Sequence, residues 1–537
     1  MTILRRADGR PWGELEHAVN HASDADAYGD PMLARIATFA IDGIDPRQVS
    51  VEVDIRSGLP AFTIVGLGDA AVRESRDRVR SAIFNSRFEF PQSRITANLA
   101  PAFLRKVGPG FDVALALAVL AASGQVPPHA LDDYAVFGEL SLSGELRDSP
   151  GALAVAEGAR HAGLRRLIVP RERAHEAALV EGLEVAGVSS LRAAVEVLGG
   201  GRLPRLPEAP LQAASDAAEP DLADIRGHAA PLLALEIAAA GSHNLLLEGA
   251  PGTGKTMLAR RMPSILPAMT RAEAIEVTRI HSVAGLHAAG LLRARPFRAP
   301  HHTISAAGLV GGGAPPRPGE ATLAHHGVLF LDELAEFQRS SLDALRQPIE
   351  DGCVTIVRGQ RALLFPTRFM LVAATNPCPC GFAGVGDRCR CGEADLRRHQ
   401  RRLSGPLLDR MDLLIGVERP EEHDLRAPPH TSSARTRERV ACARERQRHR
   451  LAGTTASCNG EMDARQVRRH VRLEEAAERV LAQAYAVGAL SARGRHRVVR
   501  VAQTIADLDG RDRIAQADVL RALSLRQRSA AETALAA

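Results

Sequence analysis

The first half of the chain contains hydrophobic patterns of both the strand and the helix type. Residues 49–55 alternate strictly between apolar and polar side chains, which predicts a half-buried strand. Residues 70–84 have the spacing of an amphipathic helix, and residues 113–122 predict an apolar, buried helix. The apolar run at 167–170 is typical of a buried strand that closes an αβ unit. Together these patterns predict an α+β domain over residues 32–199.

The second half of the chain has a different pattern. Three apolar runs, each ending in polar residues, predict strands at 245–248, 328–332 and 369–375. Strands of a parallel sheet are buried on both faces, so such runs predict a parallel sheet with helices between its strands. We therefore predict an α/β core over residues 221–425. The pattern over residues 426–537 is helical and predicts a C-terminal lid.

Two segments lack any periodicity. Residues 1–31 are polar and rich in His and Asp, which predicts a loose N-terminal extension, or a chain whose functional start is Met32. Residues 200–220 are rich in Pro and Ala, which is typical of a linker between domains. With 537 residues, the chain is long enough for several domains, each with its own core.

Composition and charge narrow the classes of function. The net charge of +5 permits a polyanionic partner, but only 3% of the residues are aromatic, which disfavours recognition of bases by stacking. The sequence has neither a secretory signal nor an apolar run long enough to span a membrane. Seven unevenly placed cysteines favour a reducing compartment over a disulfide framework. We expect a cytoplasmic protein without a membrane partner.

The apolar run at 245–247 leads into a glycine-rich turn and then into a predicted helix. In this context, a match to G-x-x-x-x-G-K-T predicts a phosphate-binding loop, and a chance glycine-rich turn is the alternative. Backbone N–H groups of such a loop converge on phosphate oxygens. The predicted ATP-binding residues are Gly249, Ala250, Pro251, Gly252, Thr253, Gly254, Lys255 and Thr256.

Lysine usage supports this prediction. The chain has 68 Lys and Arg residues, yet the only lysines among them are Lys106 and Lys255. A compact ammonium between phosphates cannot be replaced by a planar guanidinium, so Lys255 stands where the chemistry requires a lysine. We expect Lys255 to reach the β- and γ-phosphates of ATP, and the Thr256 hydroxyl to bind Mg²⁺.

The other two apolar runs end in residues suited to ATP hydrolysis. The run at 328–331 is followed by Asp332, which would hold Mg²⁺, and by Glu333, which would polarise the attacking water. A strand that ends in a solvated acidic turn is the alternative. The run at 369–374 leads to Asn376, which would orient the water near the γ-phosphate.

Four of the seven cysteines fall within residues 378–391, which form an insertion with a glycine-rich turn. Four thiolates in so short a segment predict a tetrahedral zinc site. The single-residue spacing within each pair is tighter than in the usual zinc knuckle, and a redox pair or a metal-free loop is the alternative. The candidate ligands are Cys378, Cys380, Cys389 and Cys391.

The segment at 295–319 is longer than a simple crossover between strands needs. Long loops are usually functional or disordered, and this one contains the tandem pair His301 and His302. Adjacent side chains suit a shared metal poorly, so we predict a loop that faces phosphate or a partner.

Part of the N-terminal domain resembles the proteolytic domain of Lon-type proteases. The resemblance lies in residues 106–110, 138–144 and 161–170. The resemblance implies the fold of that domain but argues against proteolytic activity. Those proteases use a Ser–Lys dyad, and the serine position aligns with Gly110 and the lysine position lies near Leu153. Without a hydroxyl nucleophile and an amine base there is no covalent catalysis.

Over about residues 32–530 the chain resembles the YifB/ComM family of magnesium-chelatase-like AAA+ ATPases. The most specific matches are 295–303 (R-P-F-R-A-P-H-H-T), 317–320, 332–333, 376–381 and 404–412. The resemblance implies an AAA+ core with a helical lid, ATP as substrate, and a homo-hexameric ring that remodels DNA. For the competence-protein branch it implies helicase and branch-migration activity while incoming DNA is integrated in natural transformation.

The resemblance also implies roles for several arginines. Arg410 would act as an arginine finger toward the neighbouring subunit, although other arginines lie close to it in the sequence. Arg493, at the start of a lid helix, would contact the γ-phosphate as a lid sensor. Residues 353–366 predict a hairpin, which in such rings points into the central pore. Arg358 and Arg361 at its tip would then meet the DNA backbone, and a solvated basic hairpin is the alternative.

Two functions from other classes are alternatives. A chelatase-like motor subunit that powers a partner enzyme predicts an ATPase that DNA does not affect. An ATP-dependent Lon-like protease is opposed by the residues at the dyad positions, Gly110 and Leu153.

Overall fold

The computed structural model describes residues 32–201, 204, 220–286, 290–358, 361–384, 388–403, 405–488 and 490–526. The predicted extension at 1–31 and most of the predicted linker at 200–220 lie outside this part of the chain. The strands are β1 Met32–Asp42, β2 Asp45–Arg56, β3 Ala61–Val65, β4 Arg94–Ala100, β5 Tyr134–Val136, β6 Glu139–Leu140, β7 Leu146–Arg147, β8 Arg166–Pro170, β9 Glu184–Val188, β10 Leu245–Glu248, β11 Phe297–Arg298, β12 Gly311–Gly312, β13 Arg317–Pro318, β14 Val328–Leu331, β15 Cys353–Arg358, β16 Arg361–Pro366, β17 Met370–Thr375 and β18 Leu413–Gly416.

Helices alternate with these strands in both halves of the chain. The α-helices are α1 Ala70–Asn85, α2 Asp112–Ala122, α3 Ala152–His161, α4 Ala174–Ala177, α5 Leu191–Leu198, α6 Ala229–Gly241, α7 Lys255–Arg260, α8 Met262–Ile265, α9 Arg271–Val283, α10 Ala306–Val310, α11 Glu320–Leu323, α12 Arg339–Ala344, α13 Arg346–Asp351, α14 Glu393–Arg402, α15 Gly405–Leu408, α16 Glu422–Arg426, α17 Ser433–Arg450, α18 Ala464–His470, α19 Glu475–Ala486, α20 Ala492–Leu508 and α21 Gln516–Ser524.

The N-terminal unit is a seven-stranded mixed sheet in the order β3-β4-β2-β1-β5-β8-β9. Strands β1 and β2 pair antiparallel, and β5, β8 and β9 continue the sheet in parallel. The apolar run over residues 113–122 of α2 is buried as predicted, and Asp112 at its start is buried as well. The Lon-like character of this unit stays a prediction.

The second unit contains a five-stranded sheet in the order β11-β14-β17-β10-β18, and all of its neighbouring strands are parallel. The three central strands, β14, β17 and β10, are the three apolar runs of the sequence. The predicted α/β class with a parallel sheet is confirmed. Because the strands are parallel, the residues that follow β10, β14 and β17 all lie along one edge of the sheet, where α/β proteins bind their ligands.

Apolar side chains of α17 to α21 pack in one cluster with strand β10, and α20 also contacts this core through a buried polar network. The Asp412 carboxylate, just before β18, accepts hydrogen bonds from the backbone N–H of Asn244 at 3.1 Å and from Arg500 of α20 at 3.0 Å. Burial alone would raise the pKa of Asp412, but Arg500 and the neighbouring His243 outweigh burial and hold it well below its usual range. The lid is therefore attached to the amino ends of the strands, away from the edge described above.

No helix in the described ranges is long and apolar enough to cross a membrane.

Candidate nucleotide-binding site

The predicted phosphate-binding loop lies between the carboxyl end of β10 and the first residue of α7, Lys255. Gly252 and Gly254 have φ angles of 77° and 93°, in the left-handed region that side chains rarely adopt. A Cβ on Gly249 would lie 2.2 Å from the carbonyl oxygen of Val417, so this position has no room for a side chain either. The glycines of the sequence motif are therefore required by the backbone itself.

The Lys255 ammonium lies inside this loop. It donates hydrogen bonds to the carbonyl oxygens of Gly249 at 2.6 Å and Ala250 at 2.8 Å, and to Oδ1 of Asn376 at 3.1 Å. Burial lowers the pKa of Lys255, although the nearby carboxylates, Asp332 first among them, oppose this. Two of the sequence-predicted residues, Lys255 and Asn376, are thus in direct contact although they lie far apart in the sequence.

Thr256 and Asp332 are also brought together. The Thr256 hydroxyl donates to Oδ2 of Asp332 at 2.8 Å, while Oδ1 of Asp332 accepts the backbone N–H of Glu333 at 3.0 Å. The Thr256 hydroxyl and the Asp332 carboxylate are oxygen ligands. In nucleotide-binding sites, Mg²⁺ is bound by such oxygens together with the phosphates. The donor set therefore fits Mg²⁺ between the phosphate-binding loop and the end of β14.

Glu333 has a left-handed backbone, with a φ of 52° that is unusual for a residue with a side chain. Such strain is found at functional sites. Its carboxylate is more than half exposed and lies 3.6 Å from Nδ1 of His302, from the long loop between β11 and β14. Ring contacts with His301 and Phe337 hold the imidazole of His302. Sequence reasoning missed this contact, although the tandem histidines had marked the loop.

Comparisons with known proteins agree with this geometry. Residues 221–425 match the family described as magnesium chelatase, subunit ChlI. Residues 51–173 match a second family of that ChlI subunit, and residues 430–526 match its C-terminal family.

Relatives match over almost the whole chain. A Mycobacterium tuberculosis protein is 44% identical over 506 residues, which is 93% of this chain and 99% of the relative. YifB of Escherichia coli is 43% identical over 497 residues, and competence protein ComM of Haemophilus influenzae is 41% identical over 504 residues. Each of these two alignments covers 92% of this chain and 97% of the relative.

The chain belongs to the YifB/ComM magnesium-chelatase-like family. The resemblance predicted from the sequence is therefore confirmed. The nucleotide site described above lies within the segment that matches the magnesium chelatase family.

In this YifB/ComM-family chain, the four predicted zinc ligands form one compact cluster directly after Asn376. Sγ of Cys378 lies 3.3 Å from Sγ of Cys380 and 3.8 Å from Sγ of Cys389. All four Sγ atoms lie within 4.8 Å of one another. Zinc–sulfur bonds of about 2.3 Å in a tetrahedron place the sulfurs about 3.8 Å apart, so the cluster fits zinc. Backbone N–H groups of Arg390 and Phe382 lower the pKa of Cys380 to about 6, whereas burial raises the pKa of Cys378 to about 12, so the thiolate form is favoured first at Cys380.

The cysteine cluster also touches the phosphate-binding loop. A Cβ on Gly381, which has a φ of 85°, would lie 2.6 Å from Cδ of Pro251. On the other side, Nε2 of His399 in α14 lies 2.9 Å from the carbonyl oxygen of Asn376. The insertion is therefore packed against the nucleotide site and does not extend from the surface as an independent module.

Arg410 lies at the opposite edge of the sheet. It precedes β18 and borders a cavity of about 660 Å³ whose other lining residues include Asn244, Gly327 and Met370, at the amino ends of β10, β14 and β17. A four-residue strand spans about 13 Å, so Arg410 is remote from the phosphate-binding loop of its own chain. Its guanidinium forms an ion pair with Glu350 at 2.5 Å.

Arg493 lines the same cavity as Arg410. This cavity lies at the edge of the sheet opposite the phosphate-binding loop of the same chain, and the role of Arg493 as a lid sensor at the γ-phosphate stays a prediction. The side chain of Arg493 is exposed at the start of α20. The side chain of Arg410 is only 11% exposed, so the two predicted arginines share this edge of the core but differ in exposure.

The predicted hairpin is present. Strands β15 and β16 pair antiparallel, and Arg358 is opposite Arg361 in the register. The side chains of these two arginines lie outside the described part of the structure, so their predicted DNA contacts stay a prediction.

A second cluster of metal-ligating residue types lies beside α9. Oε2 of Glu276 lies 3.1 Å from Nε2 of His325 and 2.9 Å from Nε2 of His326. Nδ1 of His325 accepts the backbone N–H of Arg368 at 3.0 Å, so its Nε2 carries the proton and donates it to Glu276. This cluster is therefore held by hydrogen bonds, and His325 is not free to bind a metal through Nε2.

The predicted loss of the protease dyad has a steric counterpart. A Cβ on Gly110 would lie 2.4 Å from the ring of Phe137, so a serine side chain does not fit there. Leu153, near the position of the dyad lysine, is completely buried.

Proposed function

We propose that this protein is an ATP-hydrolysing motor. The observation that carries the proposal is the hydrogen bond between Thr256 and Asp332, which joins the phosphate-binding loop to the acidic end of β14. Mg²⁺ at this pair would neutralise charge on the β- and γ-phosphates. Lys255 would bind the same phosphates, Glu333 would accept the proton of the attacking water, and Asn376 would orient that water.

We propose further that the chain works as a homo-hexameric ring. Arg410 and Arg493 are supported as contributors to a neighbour's site because both lie at the edge of the sheet opposite Lys255. A head-to-tail contact would place this edge against the phosphate-binding loop of the next chain, and such contacts close into rings. Arg410 would then leave Glu350 and stabilise the transition state in trans.

We propose DNA as the object of the motor, with helicase or branch-migration activity in the cytoplasm during the integration of incoming DNA. The support is the likeness to competence protein ComM of Haemophilus influenzae, together with the arginines at the tip of the β15–β16 hairpin. A phosphate backbone would meet these arginines without regard to sequence.

An ATPase assay on forked, single-stranded and four-way DNA tests this proposal. We expect DNA to stimulate hydrolysis in the full-length chain and to have no effect on Glu333→Gln, which is the matched control for contaminating ATPases. If none of the three DNA structures stimulates hydrolysis, the proposed action on DNA is contradicted. The proposal that the chain hydrolyses ATP would be unaffected.

A chelatase-like motor subunit is the second candidate, because all three family matches are to the magnesium chelatase subunit ChlI. It predicts hydrolysis that DNA leaves unchanged and that a partner enzyme stimulates. A Lon-like protease has less support, since the ring of Phe137 occupies the space that a serine at position 110 would need.

A further inference from the structure

The N-terminal unit contacts the ATPase core along helix α9 and the β15–β16 hairpin. Among the described residues, a polar contact and an apolar contact lie side by side at this boundary. Neither of them involves the nucleotide site or the predicted DNA-binding arginines.

The polar contact is a socket around Glu176, a fully buried carboxylate of the N-terminal unit. Ser282 of α9 donates its hydroxyl to Oε1 of Glu176 and accepts the backbone N–H of Gly151 at 3.0 Å. Oε1 also accepts the N–H of Leu153 at 2.7 Å, and Arg173 donates to Oε2 at 3.2 Å. Buried polar groups are costly when they are unpaired, so separating the two units here is unfavourable.

The apolar contact is a small cluster that spans three parts of the molecule. Ile44, in the turn between β1 and β2, is 3% exposed and packs with Ile280 of α9 and Leu323 of α11. The remaining buried members are Val354 of β15 and Phe365 of β16. One side chain of the N-terminal unit therefore forms part of the surroundings of the hairpin base.

Helix α9 leads from this boundary to the catalytic strand. Glu276 of α9 hydrogen-bonds His325 and His326, and Glu273 forms an ion pair with Arg295 at 3.1 Å. Only Gly327 separates His326 from β14, the strand that Asp332 and Glu333 follow.

We propose that the N-terminal unit acts as a strut between the hairpin and α9, with Ile44 as its contact to the hairpin and Ser282 seated in its socket. Closely packed apolar contacts transmit displacement and do not absorb it. Movement of the hairpin base would therefore shift the N-terminal unit against α9, and α9 against the start of β14. The role in DNA-dependent hydrolysis rests on the proposed function, whereas the mechanical restraint of the hairpin does not.

Hydrogen–deuterium exchange on the full chain tests the restraint without any DNA. In Ile44→Ala we expect the amides of β15 and β16 to exchange about tenfold faster, because exchange reports local opening. Amides of β10 and β17 should keep their rates. The matched control is Leu59→Ala, because Leu59 lies in another turn of the same unit and is 89% exposed. It should leave the hairpin unchanged.

Unchanged exchange of β15 and β16 in Ile44→Ala would overturn the proposal. If exchange instead rises throughout the N-terminal unit, the milder Ile44→Val decides. A rise confined to the hairpin supports the strut, and no rise there overturns it.

An ATPase measurement separates this proposal from the proposed function. Ile44→Ala should keep the basal rate and lose most of the stimulation by DNA. If DNA does not stimulate hydrolysis by the unaltered chain, the proposed DNA function fails. The exchange measurement still tests whether the N-terminal unit restrains the hairpin.

Discussion

Lys255 and Glu333 belong to the same site but differ in the step they would serve. The Lys255 ammonium lies within the glycine loop, surrounded by backbone carbonyls, whereas the Glu333 carboxylate is exposed beyond β14. The first position suits binding of phosphates and the second suits activation of water.

We expect Lys255→Ala to abolish nucleotide binding, and Glu333→Gln to bind ATP but hydrolyse it about 10²-fold to 10⁴-fold more slowly, as for loss of a general base. Titration with a fluorescent ATP analogue and single-turnover phosphate release measure the two effects. Normal turnover in Glu333→Gln would remove this residue from the role of base.

In the described structure, Nδ1 of His302 lies 3.6 Å from the Glu333 carboxylate. We expect His302→Ala to change the hydrolysis rate while nucleotide affinity stays the same, because the imidazole touches Glu333 and not the phosphate-binding loop. His302→Gln, which keeps a polar side chain, should restore much of the rate. An altered ATP affinity with an unaltered rate would contradict this role.

Among the larger elements, the cysteine insertion combines four soft ligands with direct packing against Pro251. We expect the purified protein to contain about one zinc per chain, since four clustered thiolates suit this metal. Metal analysis with thiol titration is the measurement. Removal of the metal should weaken ATP binding as well, because the loop that touches Pro251 loses its support. A zinc-free protein with four reactive thiols would rule the site out.

The β15–β16 hairpin carries the proposed DNA contact. We expect the double variant Arg358→Ala/Arg361→Ala to keep basal hydrolysis and assembly, to lose DNA stimulation and strand separation, and to bind DNA with a weaker salt dependence. Binding isotherms over a range of salt concentrations, together with an unwinding assay, measure this. Normal unwinding by the variant would move the DNA path to another surface.

The elements that sequence predicted best are those whose pattern is fixed by burial on both faces. Strands β10, β14 and β17 stand out as apolar runs, and the residues after them follow from parallel topology. The two-residue strand β11 has no comparable pattern. The contact of His302 with Glu333 could not be predicted, because it depends on how a long loop folds back over the sheet.

At the scale of the whole molecule, the location of Arg493 relative to the sheet could not be predicted from the sequence, for a related reason. Its place at the start of a lid helix was evident from the sequence, but the side of the core to which the lid attaches was not. That side is decided by Asp412, Arg500 and His243, a buried network whose members lie far apart in the chain.

A ring with shared sites makes a direct prediction for mixed assemblies. Arg410→Ala chains and Lys255→Ala chains should each be inactive, and mixtures should regain some hydrolysis where an intact phosphate-binding loop faces an intact Arg410. Phosphate release measured against mixing ratio tests this, with size analysis to confirm that both variants assemble. Mixtures that assemble normally but stay inactive would exclude Arg410 as a trans-acting residue.

The placement of Lys255 and Arg410 on opposite edges of one sheet has a genetic consequence. If each site is completed by the adjacent chain, a chain from a defective allele inactivates the nucleotide site of a normal neighbour. A cell that makes normal and Arg410→Ala chains equally would build only about one six-membered ring in sixty-four from normal chains alone. Such an allele would be dominant, whereas an allele whose product cannot fold would be recessive.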